Sequence, residues 1–229
     1  MGKNILNIQR NSVPPSQVLT FSNVLNVVHN SGYGMRFRKP KIFLIGFNKC
    51  GTTSLHKFFR NQGLKSAHCW LGMRYLALEA VSHTDVLNVR RVFSDWQVFS
   101  DFTFLKGKHF VEPLDMYPIW RQAFPDAYFI LNDRPVEDWV KSRMFHKDGD
   151  FLRRFINHSG CGSIEAANQW REKFSAHRND VLSFFHNDKR FCHFMLGEDS
   201  ITKVVNFLCN DYKLNEEFFK EHNAREAIY

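Results

Sequence analysis

The chain has few cysteines, and they form no pattern. Among 229 residues there are five, Cys50, Cys69, Cys161, Cys192 and Cys209, an odd number at irregular spacing with no C-x-x-C. Neither a disulfide framework nor a common zinc-site spacing is present, which points to a reducing compartment. Cys69 follows His68 and Cys192 precedes His193, but adjacent side chains in a strand face opposite ways, so neither pair reads as a pair of metal ligands. No apolar run approaches the length that crosses a bilayer. The stretch 18–28 is apolar but broken by Thr20, Ser22, Asn23 and Asn26, unlike the core of a signal peptide. The opening MGKNIL has Leu6 where a myristoylation signal has Ser or Thr. These absences lead to the expectation of a cytoplasmic protein with no stable membrane insertion. Internal repeats and low-complexity segments are also missing. So are helix-turn-helix, RNA-recognition and zinc signatures, and nucleic acid is not an expected partner.

What is present is globular. Hydrophobic residues make up 44% and charged residues 24%, and 24 phenylalanines call for a largely aromatic core. The formal net charge of +8 permits an anionic partner without choosing one. The length fits one large domain. Residues 1–39 read as a helical lead-in, with Val18, Phe21, Leu25 and Val28 at helical spacing, and 40–229 as a single α/β domain.

Two short apolar runs without polar alternation, IFLIG from Ile42 and AYFILN from Ala127, have the composition of central parallel strands covered on both faces. Each leads into a helix, the first over about 53–61 and the second over VEDWVKSRMFH. Between them the pattern predicts a helix at LGMRYLALEAV, an exposed basic piece at Arg90–Arg91, loop or short helical turns over 93–110, and a helix at MYPIWRQAFP. A long helix from about Ser163, a strand RFCHFML and a helix ITKVVNFLCNDY complete the pattern. Strand and helix alternating in this way predict a three-layer α/β fold with a central, mainly parallel sheet flanked by helices.

The first strand runs into a loop bracketed by Gly46 and Gly51, and Thr52, Thr53 and Ser54 then open a helix. Such a P-loop turns backbone N–H groups inward, and the helix start adds partial positive charge, which together cradle an anion. Asn48, Lys49, Cys50, Gly51, Thr52, Thr53 and Ser54 are the candidate binding residues. In a nucleoside triphosphatase loop the lysine follows the second glycine. Here Thr52 takes that slot and Lys49 lies before it, within reach of a bridging oxygen of a ligand. ILNDRP supplies no convincing metal-binding aspartate, and the arrangement speaks against ordinary ATP hydrolysis. The bland alternative is a capped strand–turn–helix with no ligand.

The second stretch is FILNDRPVEDWVKSRMFH. Arg134 lies at the carboxyl end of a strand, the ligand side of an open α/β sheet, with Pro135 at or near the first turn of the next helix and Ser142 two turns on. An arginine fork and a hydroxyl can hold a second phosphate. Taken singly, Arg134 is equally a salt-bridge partner and Ser142 a helix-surface serine.

Together the two stretches resemble the sulfotransferases that use 3′-phosphoadenosine 5′-phosphosulfate (PAPS). FNKCGTTSL is similar to that family's 5′-phosphosulfate loop, and the arginine and serine of DRPVEDWVKS to its 3′-phosphate motif. FSDWQVFSDF, YPIWRQAFPDAYFIL, GEDSITKVVNFL and EHNAR are softer matches to the family's middle and closing segments. The resemblance spans about 41–225 and is nearest to small bacterial members. It implies a P-loop-containing fold and PAPS as co-substrate, with adenosine 3′,5′-bisphosphate as product and no metal. It places Lys49 at the phosphosulfate bridge, Gly51, Thr52, Thr53 and Ser54 at the 5′-phosphate, Arg134 and Ser142 at the 3′-phosphate, and His222 and Asn223 over the cofactor. Leu55 stands where many cytosolic members have a tryptophan near the adenine, Pro135 where an acidic residue often follows the arginine, and the late R-K-G loop is absent.

Sulfuryl transfer to a hydroxyl or amine also needs a base. His68 is the first candidate because an imidazole titrates near neutrality. Asp95 and Asp101 are its rivals, since the family uses a histidine or a carboxylate. Trp70, Trp96 and Phe99 can wall an acceptor pocket or belong to the core. The expected acceptor is a small molecule or carbohydrate, a glycolipid included. The alternatives are a P-loop kinase for a small metabolite and a non-catalytic basic module binding anionic polymers.

Overall fold

The structure is a computed structural model, and it describes residues 39–69, 86–106 and 109–220. The expected helices within 1–39 and at 71–81, Trp70, His222 and Asn223 lie outside the described residues. Along the chain run β1 (Ile42–Leu44), α1 (Thr52–Asn61), β2 (Ser66–His68), α2 (Val86–Val92), β3 (Val98–Ser100), β4 (Phe104–Lys106) and β5 (His109–Val111). A 3-10 turn at Pro113–Met116 leads to α3 (Tyr117–Ala123), β6 (Tyr128–Asp133), α4 (Val136–Met144), α5 (Asp150–Ser159), α6 (Ser163–Phe184), β7 (Phe191–Met195) and α7 (Thr202–Leu208). Five strands form one sheet in the order β2-β3-β1-β6-β7, every neighbouring pair parallel, and β4 and β5 form a separate antiparallel pair. Among the described residues no helix is long and apolar enough to cross a membrane.

The unbroken apolar runs are explained by the two faces they bury. Ile42 and Leu44 of β1, with Tyr128 and Ile130 of β6, pack on Leu55, Phe58 and Phe59 of α1 and Val204 and Leu208 of α7. Phe43, Phe129 and Leu131 point the other way, onto Val89, Phe93, Trp120, Val181 and Phe185. Phe43 is the hub of that face, stacked on Phe99 at 4.9 Å, on Trp120 and Phe129 at 5.3 Å, and edge-on to Phe93 at 5.7 Å. Two layers of helices therefore enclose the sheet, as strand–helix alternation predicts.

Several expectations need correction. The segment 93–110 is not all loop and turns: it also holds β3, β4 and the start of β5, because VFS slots between β1 and β2 as a buried central strand. Phe99 is wholly buried in the core, and Trp96 packs against the same cluster, so neither walls a pocket. Arg90 is not part of an exposed basic piece: it lies in α2 and its Nε donates to the Ala123 carbonyl at 2.6 Å. Pro135, by contrast, lies near the first turn as expected, preceding α4 as its N-cap with extended backbone. α5 was not anticipated, although Phe151 and Phe155 recur at helical spacing and fill the third core cluster.

That third cluster lies beneath α4, α5 and α6 and encloses a charge. The Arg143 guanidinium is fully buried, 4.6–4.9 Å from the ring centres of Trp139, Phe151 and Trp170. It is paired with Glu112, whose other oxygen accepts from Lys173 Nζ at 3.0 Å. Burial alone would raise the Glu112 carboxyl, but Arg143 and Lys173 outweigh it and hold it below the ordinary carboxylate range. Removing one partner of such a pair leaves an uncompensated buried charge. Glu112→Gln is therefore expected to cost about 3–5 kcal/mol in urea unfolding, with Glu112→Leu/Arg143→Met recovering most of it. Because the folded carboxyl titrates below its unfolded value of 4.5, its contribution is complete above that pH and is lost as pH falls further. The Gln variant should lack that part of the acid-induced loss. Equal unfolding midpoints for wild type and Glu112→Gln at neutral pH would remove the pair from the stabilising interactions.

Candidate active site

A cleft of about 330 Å³ opens at the carboxyl ends of the strands, and each of the five contributes to its wall. The loop after β1 supplies Asn48, Lys49 and Gly51, and α1 supplies Thr52, Thr53 and Ser54. His68 ends β2, Asp101 follows β3, Arg134 follows β6, and Leu196 and Gly197 follow β7. The carboxyl edge of a parallel sheet is where loops diverge and leave room for a ligand.

The P-loop is held from outside. Its Asn48 carbonyl accepts from Trp139 Nε1 at 2.8 Å, its Lys49 carbonyl from an Arg134 Nη at 3.0 Å, and its Cys50 carbonyl from Asn132 Nδ2 at 2.9 Å. Three consecutive carbonyls are thus drawn toward β6 and α4, so electronegative oxygen is turned out of the cradle. Lys49 and Gly51 take left-handed backbone, φ 68° and 74°. Gly51 caps α1 with no side chain to satisfy the first-turn N–H groups, which leaves the helix N-terminus to an anion. At the loop's start, Gly46 N–H donates to Asn132 Oδ1 at 2.9 Å. A Cβ at Gly46 would lie 1.8 Å from the Asn132 carbonyl oxygen, so only glycine fits. The Cys50 thiol faces the third core cluster, where burial pushes it well above the ordinary thiol range. Cys50 does not line the cleft, and its backbone N–H donates to the Phe47 carbonyl at 3.3 Å.

The opposite wall is α4. Asp138 and Ser142 lie one turn apart on the same face of α4, and Arg134 before the helix and His146 after it continue the fourfold spacing; all four line the cleft. Arg134 Nε is buried without a hydrogen-bond partner among the described residues. Beyond α4, Lys147 and Asp148 are left-handed at φ 51° and 55°, followed by Gly149 at 79°, and Lys147 also lines the cleft. The fourfold spacing could have pointed to Asp138 and His146 from the sequence, whereas Lys147 follows only from the turn.

Neighbouring groups fix this wall. Asp133, buried at the end of β6, accepts from Arg178 Nε at 2.6 Å and from His193 Nε2 at 2.8 Å, and Arg178 also donates to the Arg134 carbonyl at 2.8 Å. His177 Nε2 donates to the Ile45 carbonyl at 2.7 Å, and burial lowers its pKa, keeping it neutral. Both α6 residues were missed in the sequence, where nothing distinguishes them from surface positions.

Of the three candidate bases, two reach the cleft. His68 lies between Thr53 Oγ1 at 3.3 Å and Ser100 Oγ at 3.0 Å, its ring stacked on His56 at 4.9 Å. Asp101 lines the same space from the end of β3, with φ 52°. Asp95 is exposed, accepts from the Ser94 hydroxyl at 3.2 Å, and does not line the cleft.

A family model described as a sulfotransferase domain matches residues 41–226. Among solved structures, the chain is similar to a sulfotransferase from Alicyclobacillus acidocaldarius, with 15% identity over 82% of this chain and 86% of that one and a TM-score of 0.47. No curated protein matches the chain in sequence. The family match runs from the residue before β1 past α7, through the P-loop and both walls of the cleft, and the chain belongs to the sulfotransferase-domain family, whose members transfer sulfuryl groups.

Proposed function

We propose that the chain uses PAPS as donor and transfers its sulfuryl group to a hydroxyl or amine of a small-molecule or carbohydrate acceptor, glycolipids included. One observation carries this reading: an amide cradle with Lys49 and the Arg134–Ser142 pair face the same cleft from opposite walls. Two separated anion sites suit a ligand with phosphates at both ends of a nucleoside. The fit is supported by the uncapped helix start at Gly51 and by the unpartnered, buried Arg134 Nε. Bound there, the donor supplies an activated sulfuryl group on a phosphate leaving group.

The chain's own residues then have distinct tasks. Lys49 offsets negative charge gathering on the leaving phosphate, and the first-turn N–H groups of α1 with Thr52, Thr53 and Ser54 hold it. Arg134 and Ser142 hold the 3′-phosphate, with His222 and Asn223 closing over the nucleotide. His68 takes the acceptor's proton, Asp101 being the alternative, and Asp95 drops out on position. A kinase reading gains nothing: Lys49 precedes the second glycine, and Asp133 is engaged by Arg178 and His193. Five free cysteines accord with a cytoplasmic setting.

Charge-assisted hydrogen bonds are worth about 1.5–3 kcal/mol each. Adenosine 3′,5′-bisphosphate should therefore bind at least about 10-fold more tightly than AMP by calorimetry, and Arg134→Ala should erase the difference. Equal affinities in the wild type would leave the Arg134–Ser142 site without a role. Lys49→Ala is expected to lower kcat about 100- to 1000-fold, the usual effect of deleting one pre-positioned donor, with the thermal midpoint retained. Turnover at the wild-type level would dismiss Lys49 from the chemistry.

A further inference from the structure

The edge of the sheet carries a proton arrangement that anion binding does not require. His68 and Ser100 are direct partners across the parallel β2–β3 pair, so their side chains share a face. His68 Nδ1 is 3.0 Å from Ser100 Oγ, and Ser100 Oγ is also 3.3 Å from the Ala67 carbonyl. His68 Nε2 is 3.3 Å from Thr53 Oγ1, on the cleft side.

A hydroxyl has one proton to give, and a carbonyl oxygen can only accept. Both contacts of Ser100 are hydrogen bonds under one assignment alone: Ser100 donates to Ala67 and accepts from a protonated Nδ1. The opposite tautomer spends the Ser100 proton on Nδ1 and strips the Ala67 contact of its donor, at a serine that is 3% exposed. The same rule puts the proton of His177 on Nε2, which faces the Ile45 carbonyl.

We propose that Ser100 is a positioning residue that holds His68 in the Nδ1–H tautomer, so that Nε2 presents its lone pair to the cleft. His56 supports this from the other side. Its ring stacks on that of His68 with 20° between planes, and its own Nδ1 is anchored to Ser66 Oγ at 2.8 Å. Burial, then the neighbouring His68, Arg60 and Lys57, push the His56 pKa down to about 4, so at neutral pH the stack presents an uncharged ring.

The consequence rests on the reading of His68 as the base. When the acceptor's proton moves from its oxygen to Nε2, the ring becomes an imidazolium whose Nδ1–H still donates to Ser100. Ser100 accepts before and after the transfer, so its own bonds are unchanged, and only the Thr53 hydroxyl, which donates to the neutral Nε2 at 3.3 Å, has to turn away as Nε2 takes the proton.

The test uses the full chain with 15N-labelled histidine, in two-bond 1H–15N spectra at neutral pH, with the His68 signals assigned by their loss in His68→Gln. A protonated Nδ1 and an unprotonated Nε2 are expected in the wild type. Ser100→Ala should shift His68 toward the Nε2–H form and lower kcat about 10- to 100-fold, part of what a general base contributes, with KM for the donor unchanged. Ser100→Thr, which keeps the hydroxyl, should restore both. An Nε2–H tautomer in the wild type, or an unchanged tautomer in Ser100→Ala, overturns the proposal. If the tautomer moves as stated while His68→Gln turns over at the wild-type rate, Ser100 stands as the positioning residue and His68 is not the base.

Discussion

The cleft depends on one buried amide. Asn132 is fully buried in β6 and spans the P-loop, accepting from the Gly46 N–H at its start and donating to the Cys50 carbonyl near its end. An aliphatic side chain there would leave two buried backbone groups without partners, at about 1–3 kcal/mol each. The bridge in turn requires that β1 and β6 approach closely where Gly46 passes Asn132, which no Cβ allows. The two glycines of the loop thus serve different needs. Gly46 supplies space, and Gly51 supplies a left-handed turn into α1.

Charge follows from the same geometry. Parallel strands end together, so the loop amides, the N-terminus of α1, Lys49, Arg134 and Lys147 converge on one opening. The acidic groups nearest this wall are directed elsewhere: Asp133 to Arg178 and His193, and Glu112 to Arg143 and Lys173. The exceptions are Asp138, which lines the cleft between Arg134 and Ser142, and Asp101, which lines it from the end of β3. Lone pairs of Asp133 and Glu112 are satisfied behind the wall rather than turned into the cleft. This explains how a modest excess of positive charge, +8 over the chain, can be concentrated where a polyanion binds.

How much of this was legible in the sequence depended on whether the signal was local. The P-loop, Arg134 and Ser142 sit in contiguous stretches whose turns and strand ends are set by neighbouring residues, and the cleft unites them. His68 and Asp101 reach it because β2 and β3 end where β1 does, which the sequence around them does not announce: SAH and VFS are only three residues long. Periodicity needs more residues than that to separate strand from loop. Asp95 resembled Asp101 in its aromatic surroundings, and only the end of β3, falling between them, decides which faces the cleft. Asn132 was overlooked although a polar residue in an otherwise apolar strand is itself a signal. His177 and Arg178 gave none, because their partners are backbone and side-chain groups more than forty residues away.

The braces around the loop matter for chemistry as well as for the fold. Lys49 is a non-glycine residue at φ 68°, a conformation that costs about 1 kcal/mol or more and persists only where neighbours over-determine it. Here the carbonyls of Asn48, Lys49 and Cys50 are each tied to a different donor, on α4, on the turn between β6 and α4, and on β6 respectively. The strain is therefore met in folding and not at the moment of binding. A cradle already shaped before its ligand arrives does not have to reorganise as charge develops, and stabilisation of that kind lowers a barrier most effectively. Arg134 joins the two functions, since one Nη holds the Lys49 carbonyl while Nε remains buried without a partner. An anion that engages Arg134 on the α4 side thereby bears on the same side chain that positions Lys49 on the other, and the two walls of the cleft are mechanically one.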